Sequence, residues 1–302
     1  PAIWRNAADP SASLIVSTDK KAGLYVYGLD GKVRSFIDAG RVNNVDLRGD
    51  VTVAGKPASI VVVASDRSDP LQGMLALYTL APDTGVLTPL ARLPSGAGEA
   101  YGVCLWRRAS DRALFAFAVA KSGAVYQLRL DLFGTQPTAT PLRRFKLRSQ
   151  SEGCVVDDRT GLLYVGEEDA GVWRFAADPA AAPAPRLFAP ADGTKLVADV
   201  EGVALAPQGA YGGYLLVSSQ GDNAYAVYRL HDAAYAGRFR LAGNDAGVDG
   251  TSETDGIELA VGDFGADFPG GLFIAQDGDN RPEAQNFKLA SWQSIRDALK
   301  LD

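Results

Sequence analysis

The chain has 302 residues and a formal net charge of −6, with one histidine and two cysteines. A net negative charge gives no general attraction to nucleic acid or to anionic lipid, and the longest apolar runs have only the length of strands, so none would span a membrane. We therefore expect no nucleic-acid partner and no membrane association, and we also expect a monomer. One all-β domain is a reasonable count at this length, because barrels and propellers run long.

A unit of several strands recurs about every fifty residues along the chain. Each copy opens with a polar residue, a small residue and a short apolar strand, as in EGCV at Glu152. The copies open, in chain order, at Pro1, Asn43, Tyr101, Glu152, Glu201 and Asp255, the first of them without its leading residue. Second apolar strands begin at Leu14, Ser59, Leu114, Leu162, Gly213 and Gly271.

A third apolar strand follows in every copy, and a fourth, weaker one is legible in most, such as KVRSFID and RFRLAG. Helical periodicity is almost absent, except that Trp292–Leu301 predicts one short terminal helix. Periods near fifty residues with four strands per unit predict an all-β fold, a six-bladed β-propeller around a central channel. The Ala/Pro-rich run Ala176–Pro185 fits a loop rather than a linker, so residues 1–302 are expected to form a single propeller domain.

The cysteines and the histidine limit the possible chemistry. Cys104 and Cys154 lie in the first strands of adjacent copies, one position out of register. That offset turns them to opposite faces of their own strands, so the two could meet or point apart, and two buried thiols fit the sequence at least as well as a disulfide. His231, the single histidine, falls in a turn away from the repeated strand ends. A Ser-His-Asp hydrolase and a His/Cys transition-metal site are therefore poorly supported.

The segment Ser151–Asp169 shows how polar residues collect at one end of a blade. Glu152 precedes the first strand, while Glu167 and Glu168 end the second, and in an antiparallel pair these positions lie at the same edge of the sheet. Three carboxylates that converge on one rim repel each other unless a cation or a set of basic groups is present. A solvated rim of acids is the alternative for this segment alone.

Across all copies, the two rim positions separate by charge. In the first three copies they carry Lys20, Asn43, Arg67, Tyr101 and Lys121, and in the last three they carry Glu152, Glu168, Glu201, Gln220, Asp255 and Asp277. Further oxygen ligands in the acidic half are Asp199, Asp249, Asp279 and Asn280. A solvated rim without function would mix the two signs.

These residue types indicate a metal and a phosphorylated ligand. Carboxylate, amide and backbone oxygens without His or Cys are the ligands of a hard cation, and flexible Ca²⁺ coordination fits better than the tight octahedron of Mg²⁺. Lys and Arg facing such ions suit a polyanion, of which phosphate is the obvious one. A metal-activated water could then attack the substrate near neutral pH. The alternative is a structural calcium site beside a solvated basic patch.

A series of motifs resembles one family, in order, over essentially the whole chain. The motifs are PAIW, TDKKAGLYVY, NNVDLR, EAYGVCLW, SQSEGCVVDD, LYVGEEDAGVW, DVEGVAL, SSQGDNAYAVY, DGTSETDGIE, GLFIAQDGDN and QNFKLASW. They are similar to those of the β-propeller phytases, also called alkaline phytases. The resemblance implies a six-bladed enzyme of the 3-phytase type that needs several Ca²⁺ ions. Such an enzyme hydrolyses phosphomonoesters of myo-inositol hexakisphosphate (phytate) to lower inositol phosphates and phosphate. The resemblance also implies a secreted protein, extracellular or periplasmic.

The resemblance also implies roles for individual residues. Contacts to substrate phosphates would come from Lys20, Arg67, Tyr101 and Lys121. The catalytic calcium ions, which bind and activate water, would be held by Glu152, Glu168 and Glu201. Further calcium-binding positions at or near the channel, some of them structural, would be Asp199, Gln220, Asp249, Gly250, Asp255, Asp277, Asp279 and Asn280.

The chain departs from the family pattern in several places. Two aspartates and a closing strand precede PAIW in the family, so blade six, Gly256–Trp292, is expected to have three strands here. Asp279 replaces a more usual Glu, and Asp222 and Asn223 also differ from common members. A catalytically incomplete propeller that binds calcium and a phosphorylated or sugar ligand is the alternative function. A calcium-dependent lactonase fits less well, because a neutral lactone has no use for three cations.

Overall fold

A computed structural model describes residues 1–302 as six antiparallel sheets arranged as the blades of a propeller. The predicted all-β, six-bladed fold is confirmed. Each sheet is a meander in chain order, with its first strand next to the channel. Five blades have four strands, and blade six has three, as the sequence predicts.

The strands follow the repeats in the sequence. Blades one to three contain β1 (Ala2–Trp4), β2 (Leu14–Asp19), β3 (Gly23–Gly28) and β4 (Val33–Asp38); β5 (Val42–Val53), β6 (Lys56–Asp66), β7 (Gln72–Leu80) and β8 (Leu87–Ala97); and β9 (Ala100–Arg107), β10 (Leu114–Ala120), β11 (Ala124–Asp131) and β12 (Thr138–Lys146). Blades four to six contain β13 (Ser151–Asp157), β14 (Leu162–Glu167), β15 (Gly171–Ala176) and β16 (Arg186–Pro190); β17 (Val200–Gln208), β18 (Gly212–Ser219), β19 (Ala224–Arg229) and β20 (Tyr235–Phe239); and β21 (Ile257–Val261), β22 (Gly271–Asp277) and β23 (Asn286–Ser291).

Helical structure is confined to three short pieces. The predicted terminal helix is present as α1 (Trp292–Leu299), and Ser291 caps its first turn by accepting a hydrogen bond from the backbone N–H of Ser294 at 3.3 Å. Two 3-10 helices, Pro10–Ala12 and Gln220–Asp222, lie in connecting loops. None of these helices has the length and the apolar character needed to cross a membrane.

The hydrophobic core lies between neighbouring blades. Alternate residues of each strand point to opposite faces of its sheet, and both faces are apolar here, so Val16 of blade one packs with Val62 of blade two. The first five interfaces contain between 12 and 16 buried apolar residues each. The interface between blades six and one contains 4. Full burial of one such side chain stabilises by about 1.5–3 kcal/mol, so apolar packing contributes strongly to the cohesion of neighbouring blades.

Close approach of the backbones explains the glycine that follows the opening rim residue in blades three, four and five. A Cβ atom on Gly102 would lie 1.9 Å from the carbonyl oxygen of Glu152, and one on Gly153 would lie 2.3 Å from that of Glu201. Real Cβ atoms do not approach backbone this closely, so the first strands of adjacent blades can meet at these points only through glycine. The repeated sequence signal is therefore a packing requirement of the ring.

The channel below the rim is braced by covalent and ionic contacts. Cys104 and Cys154 form a disulfide between β9 and β13, with their Cα atoms 5.7 Å apart, which resolves the choice that the sequence left open. Nearer the opposite end, Arg48 binds Asp46 at 2.9 Å and Asp158 at 3.1 Å. A cavity of about 280 Å³ lies among these first strands.

Candidate active site

Irregular pairing at the start of the first strands turns polar side chains toward the channel mouth. The strand register slips between Ser151 and Cys154 in blade four and between Val200 and Val203 in blade five. Such β-bulges re-aim side chains, and they are frequent next to functional sites. The bulges place Glu152 and Glu201 at the mouth.

Two buried carboxylates form the centre of the acidic half. Glu152 is 3% exposed, and its Oε1 atom accepts hydrogen bonds from the side-chain amides of Asn43 at 2.9 Å and Asn44 at 3.3 Å. Burial raises the pKa of Glu152, and the charges of Asp255 and Glu168 add to the rise. Glu201 is 5% exposed, and burial, with the charges of Glu152 and Asp255, raises its pKa strongly. The site is therefore rich in carboxyl groups that resist ionisation.

Lys20 joins the basic and acidic halves. Its ammonium group forms an ion pair with Asp255, whose other oxygen accepts a hydrogen bond from Gln220 at 2.7 Å. The backbone N–H of Asp255 donates to the side-chain oxygen of Gln276 at 2.8 Å. Burial lowers the pKa of Lys20, but the charges of Glu152 and Asp255 outweigh this effect, so the pKa lies above its ordinary value.

Two oxygen atoms in the acidic half have no hydrogen-bond partner. They are Oε1 of Glu168 and Oε2 of Glu201, and both are inaccessible to solvent. A buried oxygen without a partner has lost its hydrogen bonds to water and has gained no other interaction in return. A bound cation would supply that interaction. Burial and the charge of Asp199 also raise the pKa of Glu168. No three acidic, histidine or cysteine side chains lie close enough together to ligate one ion.

The basic half is organised around Tyr101. The guanidinium of Arg67 lies 5.6 Å and the ammonium of Lys121 lies 5.0 Å from the centroid of its ring, within the range of cation–π attraction. The Nε atom of Arg67 is buried without a hydrogen-bond partner, and Arg67 Nη1 is 3.9 Å from Glu99. The Arg67 Nε donor therefore lacks the partner that a bound anion would supply.

A cavity of about 450 Å³ opens beside Lys20 and Arg67, between blades one and six. Two further cationic side chains, Lys21 and Arg281, contribute to its wall. The wall of this cavity is mixed in charge, because Asp19 and Glu283 also contribute to it.

Several predicted calcium ligands lie away from the mouth. Asp277 is 1% exposed, and it binds the backbone N–H of Ser252 at 3.0 Å and the ammonium of Lys288 at 3.0 Å. Lys288 also binds Asp249, which is adjacent to Gly250 in sequence, at 2.6 Å. The acids of this group therefore already surround one cationic group.

Two other predicted ligands lie on the loop after β22. Asp279 pairs with Arg281 through two bonds of 2.6 and 2.7 Å. The amide of Asn280 donates to the carbonyl of Ala284 at 2.7 Å. In the acidic half, Asp199 is exposed, and its carbonyl accepts the backbone N–H of Gln220 at 3.0 Å. The structure thus brings together rim residues of blades one, two, four, five and six, and it places the remaining candidates around them.

The rim pattern does not identify Lys288, Asn44, Gln276 or Arg281. Lys288 had a usable signal, because a charge inside an otherwise apolar third strand must find a partner when it is buried. Glu167 was expected to converge with Glu152 and Glu168, and that expectation is wrong. Its side chain is 1% exposed and faces a loop, because neighbouring residues of a strand point to opposite sides.

Fold and rim together define a class, namely six-bladed propellers whose site opens at one channel mouth and presents cations to a negatively charged ligand. Residues 1–302 match the family described as Phytase. A 3-phytase from Bacillus subtilis (strain 168) is 38% identical over 311 residues, which covers 99% of this chain and 80% of the relative. The chain belongs to the phytase family, and it is accordingly a phosphoric monoester hydrolase.

Proposed function

We propose that this protein hydrolyses the phosphomonoesters of phytate at the rim, in a calcium-dependent reaction. The observation that carries the proposal is the ion pair of Lys20 with Asp255, which joins a basic half with an unpartnered Arg67 donor to an acidic half with two unpartnered carboxylate oxygens. The similarity to a 3-phytase supports phytate as the substrate. Phytate carries several phosphate groups, so it can contact both halves at once.

The acidic half fits calcium by its donor chemistry. Glu152, Glu168 and Glu201 would hold the catalytic ions, with Asp255 and Gln220 as further oxygen ligands. All are oxygen donors, and hard cations prefer oxygen. When bound, calcium would neutralise the carboxylates, draw charge from the phosphoryl group and lower the pKa of water for attack on phosphorus.

The cationic side chains bind and orient the substrate in this proposal. Lys20 and Arg67 contact the reacting phosphate, because both line one cavity, Lys20 pairs with Asp255 of the acidic half, and Arg67 can donate through a planar fork. Lys121 contacts a neighbouring phosphate. Tyr101 lies between Arg67 and Lys121 and keeps their charges at a fixed spacing.

We assign a structural calcium role to the outer group of Asp249, Gly250 and Asp277, and we keep Asp199, Asp279 and Asn280 as outer calcium ligands. Lys288 forms ion pairs with the two acids of the first group. Calcium would have to compete with this ammonium group, whereas in the central group it would compete with Lys20.

Phosphate release from phytate in calcium, compared with EGTA, tests the proposal. We expect activity in calcium, complete and reversible loss in EGTA, and poor replacement by Mg²⁺, which tolerates crowded carboxylates badly. Full activity in excess EGTA would overturn the calcium mechanism.

We also propose that the protein acts outside the cytoplasm. The disulfide between Cys104 and Cys154 supports this location, because such bonds persist in oxidising compartments. Fractionation of cells that produce the full-length protein, with immunodetection in medium, periplasm and cytoplasm, tests it. Retention of the mature protein in the cytoplasm would contradict the proposal.

A further inference from the structure

Glu167 is a buried carboxylate that the proposed reaction does not use. Its Oε1 atom accepts three hydrogen bonds, from the backbone N–H groups of Arg148 and Ser149, both at 2.7 Å, and from the hydroxyl of Ser149 at 3.0 Å. Its Oε2 atom accepts the indole N–H of Trp173 at 2.6 Å. All its partners are hydrogen-bond donors. Only a carboxylate, which accepts hydrogen bonds at both oxygens, satisfies every one of them.

The loop that Glu167 holds leads directly to the acidic rim. This loop, residues 147–150, connects blade three to β13, which begins at Ser151 and carries Glu152. Within it, the carbonyl of Gln150 accepts the backbone N–H of Glu168 at 3.0 Å. Both rim carboxylates of blade four are therefore attached to a segment whose position Glu167 determines.

Blade two also has a buried acid in front of a basic rim residue, although this acid binds the loop that follows its own strand. Asp66 ends β6 as Glu167 ends β14, and it is 2% exposed. It accepts the backbone N–H of Ser68 at 3.0 Å and its hydroxyl at 2.6 Å, and it forms an ion pair with Arg92. The next residue is Arg67, so a buried acid precedes a rim residue in both blades.

We propose that Glu167 is a positioning residue, which fixes Glu152 and Glu168 at the spacing that calcium requires. The inference rests on the proposed calcium role of those two carboxylates. Groups that orient metal ligands contribute to metal affinity although they never touch the ion. Glu167 does so through the loop 147–150, and its negative charge is essential because four donors converge on it.

The experiment is calorimetric titration of the intact protein with calcium, applied to Glu167→Gln and to Asp157→Asn. The second variant is the matched control, because Asp157 is 4% exposed and lies at the far end of the same blade, bound to Arg159 at 2.7 Å. In Glu167→Gln, an amide N–H must face either the loop donors or the Trp173 N–H. We expect calcium affinity to fall by about ten- to a hundredfold, and we expect Asp157→Asn to lower only the melting temperature.

A smaller change covers the case in which Glu167→Gln does not fold. Trp173→Phe removes one donor and keeps most of the aromatic surface, and it should weaken calcium binding in the same direction by a smaller factor. Wild-type affinity in the folded variants would overturn the inference while leaving the proposed function intact. Equal loss of affinity in Asp157→Asn would also overturn it, because general destabilisation would then be the cause. A wild-type protein that binds no calcium would overturn the proposed function and this inference together.

Discussion

Lys20 belongs to the basic half of the rim, and its positive charge compensates negative charge of the acidic half. Its ammonium group pairs with Asp255, and its charge lowers the pKa values of Glu152 and Glu201, which opposes the effect of burial. Calcium would take over this compensation and free Lys20 for a phosphate oxygen. The same side chain thus has two successive partners in the proposed reaction.

Substitution of the three rim cations should separate binding from chemistry. Lys20→Met and Arg67→Met remove contacts to the reacting phosphate, so we expect kcat to fall by about 10²–10³, as for loss of one oriented donor. Lys121→Met removes a contact to a bystander phosphate, so KM should rise with little change in kcat. Steady-state kinetics with phytate would measure both constants. Equal loss of kcat in all three variants would contradict the assignment of Lys121.

Glu152→Gln keeps the shape of the side chain but removes a charge from the proposed calcium site. We expect a lower kcat and a higher calcium concentration for half-maximal activity, because fewer charges hold the ions. Asp169→Asn is the control, since Asp169 is an exposed acid next to Glu168. Calcium titration of activity compares the two variants. Wild-type kinetics in Glu152→Gln would show that this carboxylate is not part of the active site.

At the scale of strands, the sequence repeats predict the blades and the rim well. The length of a repeat and the ends of its strands can both be recognised from short stretches of sequence. Strand ends also locate Glu152, Glu201 and Lys20 at the mouth. The side of the strand is harder to predict, because a shift of one residue moves a side chain to the opposite face. Glu167 and Asp277 end their strands but bind neighbouring loops and side chains, and only the bulges and the tertiary contacts reveal this.

Gly153 provides a test of how closely the blades approach. In Gly153→Ala, the new Cβ would lie 2.3 Å from the carbonyl oxygen of Glu201 and 2.9 Å from the Cα of Gly202. The first strands of blades four and five would have to separate, at a cost of about 1–3 kcal/mol typical of overpacking. Thermal unfolding should show a lower Tm. Gly134→Ala is the control, because a Cβ there meets no atom within 4 Å, and an equal loss of Tm in it would contradict the packing argument.

At the scale of the whole molecule, charge and closure of the ring are linked. The acidic half includes blade six, whose interface with blade one contains 4 buried apolar residues. The ion pair between Lys20 of blade one and Asp255, which precedes β21 of blade six, links the two blades across this interface. The composition of the chain gave no sign of this, since it depends on which blades meet.

The raised carboxyl pKa values make stability depend on pH in a specific direction. The pKa of Glu152 rises from 4.5 to about 7 in the folded protein, so between these values the folded state binds more protons than the unfolded state. Stability is then fully present below pH 4.5 and decreases as the pH rises toward 7. Each unit of pKa difference corresponds to about 1.4 kcal/mol. Exposed acids such as Asp111 and Asp192, with pKa values of about 2, contribute little in this window.

Calcium should reverse this trend, because it favours the ionised carboxylates and binds the folded state. A hundredfold excess over Kd adds about 2.7 kcal/mol of stability, and the gain should increase with pH as protons compete less for the ligands. Melting curves at pH 5, 6 and 7, in calcium and in EGTA, measure the effect. We expect Tm to fall with pH in EGTA and the difference between the two conditions to widen. A difference that is zero, or that narrows toward pH 7, would mean that the acids of blades four to six do not bind calcium as carboxylates.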